Sequence, residues 1–271
     1  MKSVKDKLVL ITGGAGGIGR LMAFEFARRG AKVAVWDLNP TALAALEDEA
    51  RREGFNIRGM VCDVSDREAV YRQAGALGAE MGPLDILVNN AGVVSGKTLL
   101  ETPDEKIIKT MNVNVLPLFW TVKAFLPSMI ERNSGHLVTI SSAAGIIGVR
   151  GLADYCASKF AAFGFNESVR MELNRLKSRV KTTVICPYFA DTGMFLGVKS
   201  PFPLLPILKS SYVAQKIVSG VLKNRKCIIL PFFVRTVAIL RLLPVSVLDF
   251  LSDILGVSAA MDHFTGRKEQ G

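Results

Sequence analysis

The 271-residue sequence predicts a doubly wound α/β domain, a parallel sheet with helices on both faces, and three observations carry that prediction. Short β-branched runs alternate with longer helix-like stretches from the N-terminus to about residue 225. The runs are apolar at nearly every position rather than at alternate ones, which suits strands covered on both faces. A glycine cluster separates the first run from the first helix-like stretch.

Strands are expected at residues 8–12 (LVLIT), 32–36 (KVAVW), 59–62 (GMVC), 86–89 (ILVN), 136–141 (HLVTIS) and 182–186 (TTVIC). Helical patterns fill the intervals, the first over 20–29. In open α/β sheets ligands bind beyond the carboxyl ends of the strands, so the residues that follow each run are where chemistry is sought.

Composition narrows the function classes. With 49% hydrophobic and 21% charged residues the chain holds ample material for one core, which excludes disordered and fibrous classes. The four cysteines (Cys62, Cys156, Cys186, Cys227) form no paired spacing and only two histidines accompany them, so neither a disulfide framework nor a metal site is expected. The first apolar run is too short for a signal-peptide core, and no run approaches the roughly 18 apolar residues of a spanning helix. A cytoplasmic protein is expected. Of the net charge of +10, residues 197–271 contribute ten Lys/Arg against four Asp/Glu in a strongly apolar stretch. That combination suggests an anionic membrane surface ahead of nucleic acid, for which no motif is present.

The glycine cluster TGGAGGIG spans residues 12–19, directly between the first strand and the first helix. Glycines let the backbone turn tightly and approach a pyrophosphate, whose charge meets the N–H groups and dipole of the helix. Gly13, Gly17, Ile18 and Gly19 are the expected contacts of a Rossmann-type dinucleotide site. Asp37, eighteen residues beyond Gly19 at the end of the second strand, can accept hydrogen bonds from ribose hydroxyls and repel a 2′-phosphate, so NAD is the expected cofactor. Arg20 is either a phosphate contact or a solvated helix residue. Asp63 and Asn90 follow the third and fourth strands and are expected to touch the cofactor.

Tyr155 and Lys159 stand four residues apart at the start of a long helical pattern, and so share one face. An ammonium near a phenol lowers the phenol's pKa and makes it a usable acid/base. Ser141 and Ser142 end the fifth strand, and either hydroxyl is a candidate partner.

With these residues the chain resembles the short-chain dehydrogenase/reductase family along essentially its whole length. The matching pieces are TGGAGGIG at 12–19, NNAG at 89–92, Asn114 in NVN, Ser142 in ISS, YCASK at 155–159 and CPYFADTGM at 186–194. The resemblance implies Tyr155 as general acid/base, Lys159 lowering its pKa and binding the nicotinamide ribose, and Ser142, thirteen residues before the tyrosine, bonding the substrate oxygen. It implies Asn114 anchoring a water of a proton relay, Thr192 holding the carboxamide and Pro187 opening the loop over the nicotinamide. Two positions depart from the family's pattern, Tyr188 and Pro117, each standing where glycine is usual.

The loop over residues 188–210 is expected to offer Phe189, Met194, Phe195, Leu196, Phe202, Leu204 and Leu205 to a lipophilic substrate. Residues 1–225 are thus a single catalytic domain containing that loop. Residues 226–271 are an apolar, basic C-terminal extension, with a helix expected over 232–243 that is too short to span a bilayer. The extension and the WDLN segment at 36–39 resemble the branch that contains retinol and 17β-hydroxysteroid dehydrogenases. That resemblance implies an NAD-dependent oxidoreductase acting on a retinoid, steroid or long-chain alcohol, in a homodimer or homotetramer. The extension binds a membrane surface, caps the core or dimerises. A 3-oxoacyl-thioester reductase is the second enzyme reading, and a non-catalytic dinucleotide sensor the third. His136 and His263 lie in no catalytic motif and are read as structural.

Overall fold

The computed structural model describes residues 3–200, 202–256 and 259–266. Pro201 of the expected substrate loop and residues 257, 258 and 267–271 of the extension lie outside the described residues.

Seven parallel strands form one sheet in the order β3-β2-β1-β4-β5-β6-β7. They are β1 (Leu8–Thr12), β2 (Lys32–Asp37), β3 (Ile57–Val61), β4 (Ile86–Asn89), β5 (His136–Ile140), β6 (Lys181–Pro187) and β7 (Cys227–Leu230). The chain runs outward from β1 to β3, returns to β4 beside β1, and then runs outward the other way. The reversal between β1 and β4 leaves a crevice above their carboxyl ends, which is where a doubly wound sheet binds ligands.

Strand alternation divides the core between the two faces. Val9, Ile11, Val33 and Val35 face α1 (Gly17–Ala27), α2 (Pro40–Arg52) and α7 (Ser210–Leu222), whereas Leu8, Leu10, Ala34 and Trp36 face α3 (Arg67–Met81), α5 (Leu116–Glu131) and α6 (Ala153–Arg175). Each fully buried Val, Leu or Ile here contributes about 1.5–3 kcal/mol relative to an exposed one. The side-chain oxygen of Asn39 accepts from the Ala42 N–H and so caps α2, and Asp66 caps α3 in the same way. Pro117 sits in the first turn of α5, where its missing N–H costs nothing, so a proline is accommodated where the family's pattern has glycine.

Three expectations need correction. The third strand starts two residues earlier than expected, at Ile57. Cys227–Leu230 is a seventh strand paired with β6, so a boundary at 225/226 would cut the sheet; its four apolar residues run into the apolar tail with only Pro231 between, and the pattern hides the strand's end. The helix expected over 232–243 is instead a 3-10 segment (Phe232–Thr236) followed by the single turn α8 (Val237–Leu240), and α9 (Val245–Ile254) comes after Pro244. One stretch, Asp104–Glu131, is by length and composition apolar enough to cross a membrane. It consists of α4 (Asp104–Asn114) and α5 meeting at Val115, and α5 packs Leu118, Val122, Phe125 and Met129 into the sheet core.

Candidate active site

The loop between β1 and α1 is built for close approach. Gly13 and Gly17 have left-handed backbones, with φ of 62° and 54°. A Cβ on Gly13 would stand 2.8 Å from the Ala91 Cα, and one on Gly19 would stand 2.3 Å from the Gly13 carbonyl oxygen. Gly16 caps α1 without a side chain, so the first N–H groups of the helix keep no side-chain partner and point at the crevice. This cradle fits a pyrophosphate. Ile18 lines the crevice and packs on the sheet core, and Thr192 stands over Gly17, 3.7 Å from where its Cβ would be.

The acids are held in place. Asp37 accepts from the Ala15 N–H at 3.0 Å with one oxygen and from the Asn39 N–H at 3.1 Å with the other, which orients the carboxylate at the mouth of the loop. Asp63 accepts from the N–H and hydroxyl of Ser65 at 2.9 and 2.7 Å. Asn90 turns its amide to the glycine loop, donating to the Thr12 and Gly13 carbonyls at 2.9 and 3.0 Å, so it shapes the loop as well as lining the crevice. Arg20 pairs with Glu49 and lies 5.0 Å from the centre of the Phe24 ring, which is the helix-surface alternative for that residue.

Across the crevice, the first two turns of α6 carry Tyr155 and Lys159, only 5% and 4% exposed. Lys159 Nζ donates to the Ile140 carbonyl at 3.1 Å and lies 5.4 Å from the centre of the Tyr155 ring. The Ser142 hydroxyl, at the end of β5, accepts from the Ala144 N–H at 3.1 Å, donates to the Pro187 carbonyl at 3.3 Å and lines the crevice together with Tyr155. Ser141 turns its hydroxyl to the Lys159 carbonyl at 2.7 Å. The Asn114 side chain clamps Val93, accepting from its N–H at 2.8 Å and donating to its carbonyl at 3.0 Å, and donates to Ser158 Oγ at 2.9 Å. That clamp uses both amide hydrogens and one of the two lone pairs of Oδ1.

Burial dominates the titration of both groups on α6. It pushes the Tyr155 phenol up, opposed by the neighbouring Ser142 hydroxyl, and it lowers Lys159 to about 8. The sequence reading expects the ammonium to lower the phenol. In the protein alone the net direction for Tyr155 is upward, because desolvation opposes the charged form of each group.

The crevice encloses about 430 Å³. Phe189, Met194 and Phe195 of the 188–210 loop line it, together with Val149 and Leu152 from the segment before α6, which the sequence reading did not single out. Phe202 and Leu205 instead pack with Val234, and Leu196 and Leu204 are exposed. Tyr188, where the family's pattern has glycine, places its hydroxyl 3.2 Å from Ser200 Oγ. Among the described residues no group of three or more His, Cys, Asp or Glu could hold a metal ion.

A glycine cradle at the switch point, opposite a buried phenol, defines a nucleotide-dependent oxidoreductase on a Rossmann-type sheet. The chain belongs to the short-chain dehydrogenase/reductase family: the family model for short chain dehydrogenase matches residues 7–200. It is 44% identical over 273 residues to the Mus musculus protein named epidermal retinol dehydrogenase 2, covering 99% of this chain and 88% of that one. It is 40% identical over 299 residues to retinol dehydrogenase 10 of Homo sapiens, with the same coverage of each. A crystal structure of a short chain dehydrogenase/reductase from Burkholderia phymatum in complex with NAD superposes with a TM-score of 0.80 at 26% identity, covering 89% of this chain and 95% of that one.

Proposed function

We propose that this protein is an NAD(H)-dependent oxidoreductase that interconverts a long apolar alcohol, of retinoid or similar type, with its aldehyde or ketone. The observation that carries the reading is the buried Tyr155 phenol, with Lys159 Nζ 5.4 Å from its ring centre and apolar side chains lining the crevice beside the glycine cradle. The relatives named retinol dehydrogenases support the substrate class.

NAD, when bound, supplies the hydride acceptor for alcohol oxidation and, when reduced, the hydride donor for the reverse. Gly13, Gly17, Ile18 and Gly19 would hold its pyrophosphate side, Asp37 the adenosine ribose diol and Asp63 the adenine. Thr192 and Pro187 would bound the nicotinamide end. The Asp37 charge disfavours a 2′-phosphate, which weighs against NADPH-linked acyl-thioester reduction.

Ser142 aligns the substrate oxygen with the Tyr155 hydroxyl. Tyr155 takes the hydroxyl proton during oxidation and returns it during reduction. Lys159, able to gain or lose a proton at about 8, stabilises the phenolate when charged and positions the ribose. Asn114, by fixing Val93, holds the strand-end segment opposite. Phe189, Met194, Phe195, Val149 and Leu152 exclude water and bind the hydrocarbon part, at about 25 cal/mol per Å² of apolar surface removed from water.

The extension supports contact with a membrane surface, because Phe232, Ile239, Leu242, Val245, Phe250 and Ile254 are all exposed, with Arg235 and Arg241 among them. A homodimer or homotetramer is part of the same reading. Absorbance of NADH on mixing enzyme and NAD with retinol, steroids, fatty alcohols or hydroxyacyl thioesters tests the reaction. Turnover of the apolar alcohols is expected, and turnover confined to the thioesters would overturn the substrate class.

A further inference from the structure

The C-terminal strap, residues 259–266, returns from α9 to the mouth of the crevice and is fastened at several points. The Lys199 N–H donates to the Ala260 carbonyl at 3.2 Å, and the Thr265 and Gly266 N–H groups donate to the Leu196 carbonyl at 2.9 and 3.3 Å. Arg150 grips Asp262 with two contacts of 2.7 and 2.8 Å. An exposed ion pair contributes little, whereas Ala260 and Met261 are buried, so the apolar contacts dominate the attachment.

The body is shaped to receive the strap. Three glycines with left-handed backbones, Gly96, Gly151 and Gly197, come from three different loops around the crevice. A Cβ on Gly96 would lie 1.9 Å from Phe264 Cε1, and one on Gly197 would lie 1.9 Å from the His263 carbonyl oxygen. A Cβ on Gly151 would touch the Met261 Cβ at 3.4 Å. No other residue type fits at Gly96 or Gly197 with the strap in place.

Phe264 closes a ring of contacts around the reacting group. The Tyr155 ring meets Phe195 edge to face at 5.7 Å, and Phe195 meets Phe264 at 6.5 Å. Phe264 seats on Gly96, whose neighbour Ser95 donates its hydroxyl to Asp154 at 2.6 Å. Asp154 is buried, accepts a second hydrogen bond from Thr110 at 2.7 Å, and directly precedes Tyr155. We infer that Phe264 is a positioning residue for substrate selection: seated between Gly96 and Phe195, it holds Phe195 against Tyr155 and thereby sets the crevice to grip long apolar alcohols.

This inference rests on the proposed dehydrogenase reading for its kinetic test, and a second measurement stands apart from that reading. In Phe264→Ala, amide hydrogen exchange without any ligand is expected to lose protection at Val198 and Lys199, whose N–H groups bond the Phe195 and Ala260 carbonyls, while the central strands keep theirs. In turnover with NAD across a series of primary alcohols from butanol to retinol, KM for the longest members is expected to rise roughly three- to tenfold, the loss of about one aromatic contact. The kcat of every member and the KM of the shortest should hold. Phe264→Leu, which keeps apolar bulk at the seat, is expected to recover most of the difference and serves where the alanine variant does not fold. Unchanged exchange at Val198 and Lys199 overturns the inference, as does an equal rise in KM for all alcohols. If no alcohol is turned over by the parent enzyme, the dehydrogenase reading fails while the exchange result still decides whether Phe264 holds the loop at 195–199.

Discussion

Lys159 Nζ lies 5.4 Å from the centre of the Tyr155 ring, and the two buried side chains share one face of α6 with no acid between them. The ammonium is held by a carbonyl, that of Ile140, rather than by a carboxylate, so its charge is not neutralised locally. A phenol in that field is the group able to exchange a proton with a substrate oxygen bound at Ser142. Tyr155→Phe is therefore expected to keep NAD affinity within a few-fold while turnover falls by about 10²–10⁴. Fluorescence titration with NADH and steady-state rates check the two halves separately.

Stability should carry the imprint of Lys159. Its folded pKa of about 8 lies below the ordinary 10.5, so between those values the unfolded chain binds more protons than the folded one. Stability then rises with pH through that window, by up to about 1.4 kcal/mol per pH unit. Lys159→Met lacks this slope. Denaturant melts of parent and variant from pH 8 upward, kept below 10.0 where the phenol begins to titrate in the unfolded chain, should show the parent gaining on the variant.

Asp37 is oriented by two backbone N–H groups, so its position survives a neutral replacement better than its charge does. Asp37→Asn is expected to lower the preference for NAD over NADP, measured as the ratio of kcat/KM, by roughly tenfold or more, since removing a like charge opposite a phosphate is worth at least about 1.4 kcal/mol. An unchanged ratio would count against the ribose contact.

His136 shows a depressed pKa with no catalytic use. Thr183 donates its hydroxyl to the Arg225 carbonyl at 2.6 Å, so the 2.7 Å contact to His136 Nε2 makes that nitrogen the donor and leaves Nδ1 bare. Burial, aided by the Lys181 charge, lowers the imidazole to about 3 from 6.5. The unfolded chain binds more protons between those values, so the contribution of the neutral ring is lost as pH falls from 6.5 toward 3. His136→Gln is expected to shrink the loss of stability between about pH 6.5 and about pH 5, by up to about 1.4 kcal/mol per unit, in urea melts.

Local spacing made much of the site legible. The alternation of apolar runs located six of the seven strands, and the glycine cluster, the acid at Asp37 and the four-residue step from Tyr155 to Lys159 each depend on neighbours in sequence. What stayed hidden depends on distant chain. The CIIL run of β7 is recognisable only by its pairing with β6, and Val149 and Leu152 are ordinary apolar residues until the fold turns them to the crevice. Phe264 meets Gly96 across more than half the chain, a contact without periodicity. The direction of the Tyr155 shift is likewise a tertiary property, because burial on all sides outweighs the opposing influence of the Ser142 hydroxyl.

Helix α9 buries none of its side chains and yet is largely apolar. Val247, Phe250 and Ile254 follow one another at helical spacing on one face, with Phe250 and Ile254 63% and 64% exposed, while Asp249 and Asp253 flank that face on one side. Such a helix, with Arg235 and Arg241 nearby in the chain, is suited to lie in a lipid interface with its acids toward water. Phe250→Asp with Ile254→Asp is expected to abolish co-flotation with vesicles of phosphatidylcholine and phosphatidylserine, while turnover of a short water-miscible alcohol stays at the parent level because neither residue lines the crevice. Retention of flotation would move the contact elsewhere. Loss of a dimer in sedimentation, with the parent failing to float at all, would show instead that this face meets a second copy of the chain.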